Sequence, residues 1–253
     1  MITISLQSGS NGNCIYVEAG SVRLLFDAGI SGKRAKFRLQ ARDRDPHQCD
    51  ALIVSHDHTD HSRSIGVFQR KFDLPVYVTA SALARVRGRL GPLGEVHHFE
   101  PSDRLRFGDV DVETIPTPHD GVDGVAFVVH HDGRQLGILT DLGHPFPALG
   151  EVLSRLDAVY LESNYDPEML DRGPYPPALK ARIRGPRGHL SNVEAARLVA
   201  DHAGDRLQWL ALAHLSEHNN VPELAVETHR KVIGNGLPIE AMSRYEVGPL
   251  LAV

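Results

Sequence analysis

Ala51-Leu-Ile-Val-Ser-His56-Asp-His58-Thr-Asp60-His61 is the stretch that decides how the rest of the chain is read. The apolar, β-rich run through Val54 predicts a buried strand, and the polar residues after Ser55 predict the loop at its C-terminal end. Three imidazoles and a carboxylate follow one another in that loop. So many N and O donors exceed what one tetrahedral ion takes. His56 and His58 can turn to one cation while Asp60 and His61 turn to a second beside it. The bland reading is a solvated, His-rich loop.

The His-x-His-x-Asp-His cluster resembles the signature of the metallo-β-lactamase superfamily. The resemblance implies a dinuclear site with further ligands, each at a strand end. His119 follows the extended run Val110–Pro118, Asp141 ends the apolar run Leu136–Thr140, and His214 ends Leu207–Ala213. Their order matches the superfamily's later ligand motifs. Asp27, in Phe26-Asp27-Ala28-Gly29, matches its early Asp-x-Gly, where the carboxylate orients ligands rather than binding metal. The fold implied is an α/β protein of the αββα four-layer sandwich type. Periodicity alone gives only α/β.

Length and composition bound the possibilities. The chain suits one large α/β domain or two small ones; without a linker it reads as one domain over 1–253. A net charge of −5 argues against wholesale electrostatic binding to nucleic acid but not against a local basic patch. Cys14 and Cys49, the only cysteines, make neither a zinc-finger spacing nor a disulfide framework, so a reducing cytoplasm is expected. The N-terminus alternates like a strand and lacks a signal peptide's basic start and apolar core. No run is long and apolar enough to span a bilayer, so no membrane partner is expected.

Along the chain, Ile2, Ile4 and Leu6 alternate on one strand face, and residues 13–19 and 22–27 read as two more strands. Between them Ser8-Gly-Ser10-Asn11-Gly-Asn13 offers small donors and backbone N–H groups that either cradle a phosphate or simply turn. Residues 31–44 predict a helix with cations all round it. Helices are expected at 62–70, 80–90, 147–154, 193–203 and 222–233, and strands at 76–79, 95–99, 104–107, 110–117, 156–161 and 239–243. Residues 124–131 and 134–141 predict a hairpin around Asp132-Gly133. Two prolines aim His119, and Asp120 either accepts from its ring or ends the turn. Lys180, Arg182, Arg184 and Arg187 have no acidic neighbour within their stretch, and this basic run and the Asn-rich loops suit phosphates.

Four segments narrow the resemblance: Ser-Gly-Ser-x-Gly-Asn at 8–13, Glu162-Ser-Asn-Tyr-Asp, Gly-His189-Leu-Ser-Asn192, and His214-Leu-Ser-x-x-Asn219-Asn220. Together they look like the YycJ/VicX-like branch. That likeness implies a metal-dependent phosphodiesterase or nuclease, exonuclease-like and acting on DNA, double-stranded DNA being the substrate suggested for the branch, with nucleic acid or another phosphodiester as partner. Ser10, Asn11, Asn13, Asp27, Glu162, Arg184, Asn192, His218, Asn219 and Asn220 are then expected around the ligands or the substrate. Two departures weaken an RNA specificity. The tRNA-processing relatives have a His where Leu161 precedes Glu162, and the span from Asp141 to His214 is too short for the extra domain of larger RNA nucleases.

The implied cofactors are two divalent ions, zinc or manganese, since imidazole suits the first and oxygen the second. His56, His58 and His119 are assigned to one ion, Asp60, His61 and His214 to the other, and Asp141 to both. Ions about 3.5–4 Å apart bridge a hydroxide that attacks phosphorus in line. His189 is the expected general acid, with His218 the alternate, and Asp60 counts as catalytic as well as ligating. His214 is preferred to His189 as ligand because it leaves a strand. Two other functions compete: hydrolysis of a thioester, lactone or β-lactam, which predicts an apolar pocket, and a non-enzymatic regulator, which predicts lost ligands. The oligomeric state stays open.

Overall fold

The computed structural model describes residues 1–253. The strands, in chain order, are β1 (Ile2–Gln7), β2 (Cys14–Ala19), β3 (Val22–Phe26), β4 (Ala51–Ile53), β5 (Val76–Tyr77), β6 (Val96–His97) and β7 (Arg104–Phe107). They continue with β8 (Val110–Pro116), β9 (Val125–His131), β10 (Arg134–Leu139), β11 (Ala158–Glu162), β12 (Trp209–Ala213), β13 (Ile239–Ala241) and β14 (Leu251–Ala252). The helices are α1 (Gly32–Gln40), α2 (Thr59–Ser62), α3 (Ile65–Phe72), α4 (Ala80–Leu90) and α5 (Pro147–Arg155). After them come α6 (Pro167–Arg172), α7 (Pro177–Arg184), α8 (Asn192–His202) and α9 (Pro222–Ile233). No helix is long and apolar enough to cross a membrane. Both cysteines are free and buried.

The chain divides into two units. The first comprises Met1–Pro116, Gly121–Val125 and Ser243–Ala252. Its sheet runs β14-β1-β2-β3-β4-β5-β6, antiparallel as far as β3 and parallel from there. β4 is buried at every position, as a parallel strand covered on both faces should be. Ile4, Leu6, Tyr16, Leu25, Leu52 and Phe68 form the heart of its core. Phe26 pairs in register with Ile53, so parallel β3 and β4 end side by side. Their following residues, Asp27 and the Ser55–His61 loop, therefore emerge at one edge, where α/β sheets place their sites.

The second unit comprises Thr117–Asp120, Ala126–Met242 and Val253. Here β10, β11, β12 and β13 are parallel, and β9 and β10 make the antiparallel hairpin expected at Asp132-Gly133. Leu139 pairs with Leu161 and Leu161 with Leu212, so three strands end in register. That register carries Asp141, Glu162 and His214 to one edge.

Several elements differ from their expected bounds for local reasons. The helix expected at 31–44 stops at Gln40, because Arg42 N–H turns back to the Leu39 carbonyl and Asp43 takes φ +54°. The helix expected at 62–70 divides into one-turn α2 and α3, the latter closed by Asp73 in the left-handed region. α6, α7 and β14 have no counterpart among the expected elements: α6 and α7 each bury only one residue, Leu170 and Ile183, too little for a periodic signal.

Candidate functional site

In the first unit Asp27 is the organiser. It holds φ +64° and is 5% exposed. One of its oxygens accepts from the Ser55 N–H at 2.8 Å and the other from His61 Nδ1 at 2.7 Å. Ser55 Oγ also lies 2.9 Å from His56 Nδ1. Nδ1 of His61 is thus committed to an anion, which fixes the tautomer and leaves the ring's lone pair on Nε2. The Asn13 amide meets that nitrogen at 3.0 Å, while Asn13 Oδ1 accepts from Gly9 N–H. The His56 ring lies 4.6 Å from that of His58 and 4.3 Å from that of His61, and Asp60 Oδ2 is 3.6 Å from His61 Nε2. His56, His58, Asp60 and His61 therefore converge.

Two glycines permit this. A Cβ on Gly29 would fall 1.6 Å from the Asp60 carbonyl oxygen, and one on Gly121 would fall 2.4 Å from His56 Cδ2. Asp57, inside the cluster, is not aimed inward: its carboxylate accepts from Val122 N–H. The loop at 8–13 is a brace rather than an open phosphate cradle. Gly12 N–H donates to Gly9 O, Asn13 N–H to Asp60 O, and Asn11 Oδ1 accepts from Gln7. Ser10 is exposed at its tip.

In the second unit Glu162 plays the organising part. It is fully buried. Oε1 lies 2.6 Å from His189 Nδ1 and 3.5 Å from His214 Nδ1, while Oε2 accepts from the Leu142 and Leu190 N–H groups. Burial alone raises a carboxylate's pKa; the charge of His189 and the hydrogen bonds from His189 and His214 outweigh it and hold Glu162 below the usual range. Asp141 Oδ1 is 3.5 Å from His119 Nε2 and 3.7 Å from His214 Nε2. The ligand atoms of Asp141, Glu162, His189 and His214 lie within 4.8 Å of one another, close enough to hold a metal ion. His119 donates Nδ1–H to the Gly188 carbonyl at 2.7 Å, while its Nε2 lies 3.5 Å from Asp120 Oδ1, a carboxylate that also pairs with Arg182.

Asp27, Asp141 and His214 are three of the eight non-glycine residues at positive φ. Each stands one or two residues beyond a strand end. Such backbone costs on the order of 1 kcal/mol and persists where packing over-determines it, commonly at functional sites.

Other expected site residues lie apart from these clusters. Asn192 and Asn220 are buried and clamp each other, and Asn220 Nδ2 also bonds the Ser163 and Asn164 carbonyls. With buried Asn219 they brace strand ends. Arg184 is ion-paired with Asp171. His218 is exposed, sits edge-on to Tyr175 and lines a cavity of about 580 Å³ with Asp166, Arg172 and Lys231. Sequence reasoning missed Ser55 and Asn164, whose Nδ2 bonds the His214 carbonyl. Their only signals were adjacency to His56 and a place inside the Glu-Ser-Asn segment.

Residues 22–210 match the model of the Beta-lactamase superfamily domain. The chain is 37% identical over 223 residues to Exodeoxyribonuclease YycJ of Bacillus anthracis, a match covering 87% of this chain and 84% of that one. It is 34% identical to Exodeoxyribonuclease WalJ of Streptococcus pneumoniae strain D39, covering 87% and 83%. Among solved structures, the metallo-beta-lactamase fold protein YhfI of Bacillus subtilis is similar with a TM-score of 0.76 at 17% identity over both whole chains. The short form of human tRNase Z is similar with a TM-score of 0.69 at 14% identity, again over both whole chains.

Proposed function

The chain belongs to the metallo-β-lactamase superfamily, and from that membership we propose that it is a cytoplasmic, metal-dependent exodeoxyribonuclease. The observation that carries the reading is the commitment of imidazole protons. Nδ1 of His61 faces Asp27, Nδ1 of His119 faces Gly188 O, and Nδ1 of His189 faces Glu162. Each ring is left with Nε2 for a cation or a proton transfer, the supporting arrangement of metallohydrolase sites. The names of the two curated relatives direct the substrate toward DNA and away from a small acyl ester.

The donor set fits divalent ions: buried imidazoles and a buried carboxylate, with second partners on the rings. Divalent ions, zinc or manganese, would be held by His56, His58, Asp60 and His61 in the first unit and by His119, Asp141 and His214 in the second. When bound, such ions lower the pKa of water toward neutrality and neutralise charge on a phosphoryl oxygen. Asp27 holds His61 in one tautomer. Glu162 holds His189 by Nδ1, so Nε2–H is the proton available to the leaving alkoxide. Glu162 stays anionic and stabilises the imidazolium. Asp60 acts through ligation.

The test is incubation of metal-loaded protein with end-labelled DNA, RNA, a thioester and a lactone, with and without chelator. Shortening of DNA that stops with chelator is expected. Turnover of an acyl substrate with intact DNA would overturn the reading.

A further inference from the structure

Residues 28–42 and 61–72 contain no Asp or Glu, in a chain whose net charge is −5. These segments form α1 and α3, which touch: a Cβ on Gly32 would meet Val67 Cγ1 at 3.2 Å and Lys71 Cδ at 3.5 Å. Lys33, Arg34, Arg63, Arg70 and Lys71 are exposed and Lys36 is half-exposed. None forms an ion pair; Arg34, Arg63 and Arg70 bond only neutral oxygens. Among them stand two exposed apolar side chains, Phe37 at 72% exposure and Val67 at 42%. A third, Tyr245 at 61%, is tied to the same helix by Arg38, which donates to its carbonyl.

This face is physically continuous with the first unit's ligand cluster. The one-turn helix that carries Asp60 and His61 runs through Arg63 into α3. Arg63 donates to the Gly29 carbonyl at 2.6 Å and to the Asn11 carbonyl. From the other side, Arg34 bonds Gln7 Oε1, and Gln7 Nε2 bonds Asn11. The loop so held ends in Asn13, whose N–H reaches the Asp60 carbonyl at 2.8 Å.

We infer that the α1–α3 face is the track for a single DNA strand leading to the ligand cluster, with Lys33, Lys36 and Lys71 on phosphates and Phe37 stacked on a base. This rests on the nuclease reading above and deepens it. Unpaired cations recruit the polyanion through counterion release. An exposed aromatic ring among them is the sequence-tolerant platform that unpaired bases use, since every base has a π-face. A duplex keeps its bases stacked inside and has no use for Phe37, so the ring points to a strand already separated.

The experiment measures binding of a phosphorothioate single strand to full-length, metal-loaded protein across a salt series. Lys33→Ala/Lys36→Ala/Lys71→Ala should weaken binding and reduce the salt slope by about 2, at roughly 0.7 for each phosphate left without its lysine. Phe37→Ala should weaken binding of an ordinary strand about tenfold, and an abasic strand hardly at all. An unchanged slope, an equal loss on the abasic strand, or a loss confined to duplex would overturn the track. If wild-type protein neither binds nor cuts DNA, the nuclease reading itself falls. If it does both and the variants match it, only the track falls.

Discussion

The two units carry comparable equipment and use it differently. Each has a buried carboxylate beside its ligand strand ends: Asp27 in the first, Glu162 in the second. Each also has a basic segment. Asp27 serves Ser55 and His61, so its work is ligand geometry. Glu162 serves His189, the ring with 16% of its side chain open to solvent, and on the proposed mechanism its work extends to a proton. The cations of α1 and α3 meet no carboxylate, whereas Arg182 and Arg184 are paired with Asp120 and Asp171. The contrast teaches that a basic run in sequence says little until the fold shows which acids reach it.

The largest effect expected from this division is at His189. A nucleotide alkoxide is a poor leaving group, and general acids contribute about 10²–10⁴-fold. His189→Ala should slow cleavage of DNA by that factor and slow a p-nitrophenyl phosphodiester far less. Equal losses on both substrates in metal-replete protein would make His189 a binding group and erase the difference between the units.

The second unit also holds a buried histidine outside the ligand cluster. His229 is fully buried on α9; Nδ1 bonds the Ala225 carbonyl, and Nε2 has no partner. Burial pushes its pKa down to about 4, the hydrogen bond to Ala225 only partly opposing. Its folded pKa lies below the unfolded value of about 6.5, so the unfolded chain binds the extra proton. Its contribution is whole above pH ~6.5 and is lost as pH falls toward ~4, on the order of 3 kcal/mol in all. Denaturant titrations should show His229→Leu losing less stability than wild type across that window; parallel pH curves would refute the assignment.

Glu162→Gln should come next. It keeps the shape but removes the anion behind His189, and a rate loss on DNA of about 10²-fold is expected. As with His189→Ala, the aryl ester should be spared. Asp27→Asn should behave oppositely, weakening metal affinity about 10–100-fold through His61 and altering both substrates' rates together. Metal titrations against the two substrates distinguish them. If both variants behaved alike, the two carboxylates would have one job.

The candidate site residues are legible in the sequence because each follows an apolar run that reads as a strand. Asp27, His56, Asp141 and His214 are found that way. What stays hidden depends on neighbours distant in the chain. Gly188 O as the partner of His119, and Ser55 as the hub between Asp27 and two rings, have no periodic or compositional mark. Asn192, Asn219 and Asn220 suggest a phosphate-facing role because asparagine is polar; the fold buries them, and Asn220 satisfies backbone carbonyls there. α7 escapes notice because one buried residue, Ile183, gives no amphipathic stripe.

The smallest effect should come from the basic stretch that looks most promising by composition. Arg182 donates to Asp120 at 2.6 Å, Arg184 pairs with Asp171, and Lys180 reaches the Asp171 carbonyl at 2.7 Å. To contact a phosphate, either arginine must first leave its carboxylate. Exposed pairs of this kind are worth only about 0–1 kcal/mol, so DNA can displace them, but each displacement returns an anion to the strand's vicinity. Net counterion release per arginine is therefore small. Replacing Lys180, Arg182, Arg184 and Arg187 together by Ala should lower DNA affinity by a few-fold at most and change the salt slope by less than about 1. The three-lysine change on α1 and α3 should exceed it with fewer residues altered. A steeper loss from the α7 stretch than from α1 and α3 would reverse the comparison and move the strand to the second unit.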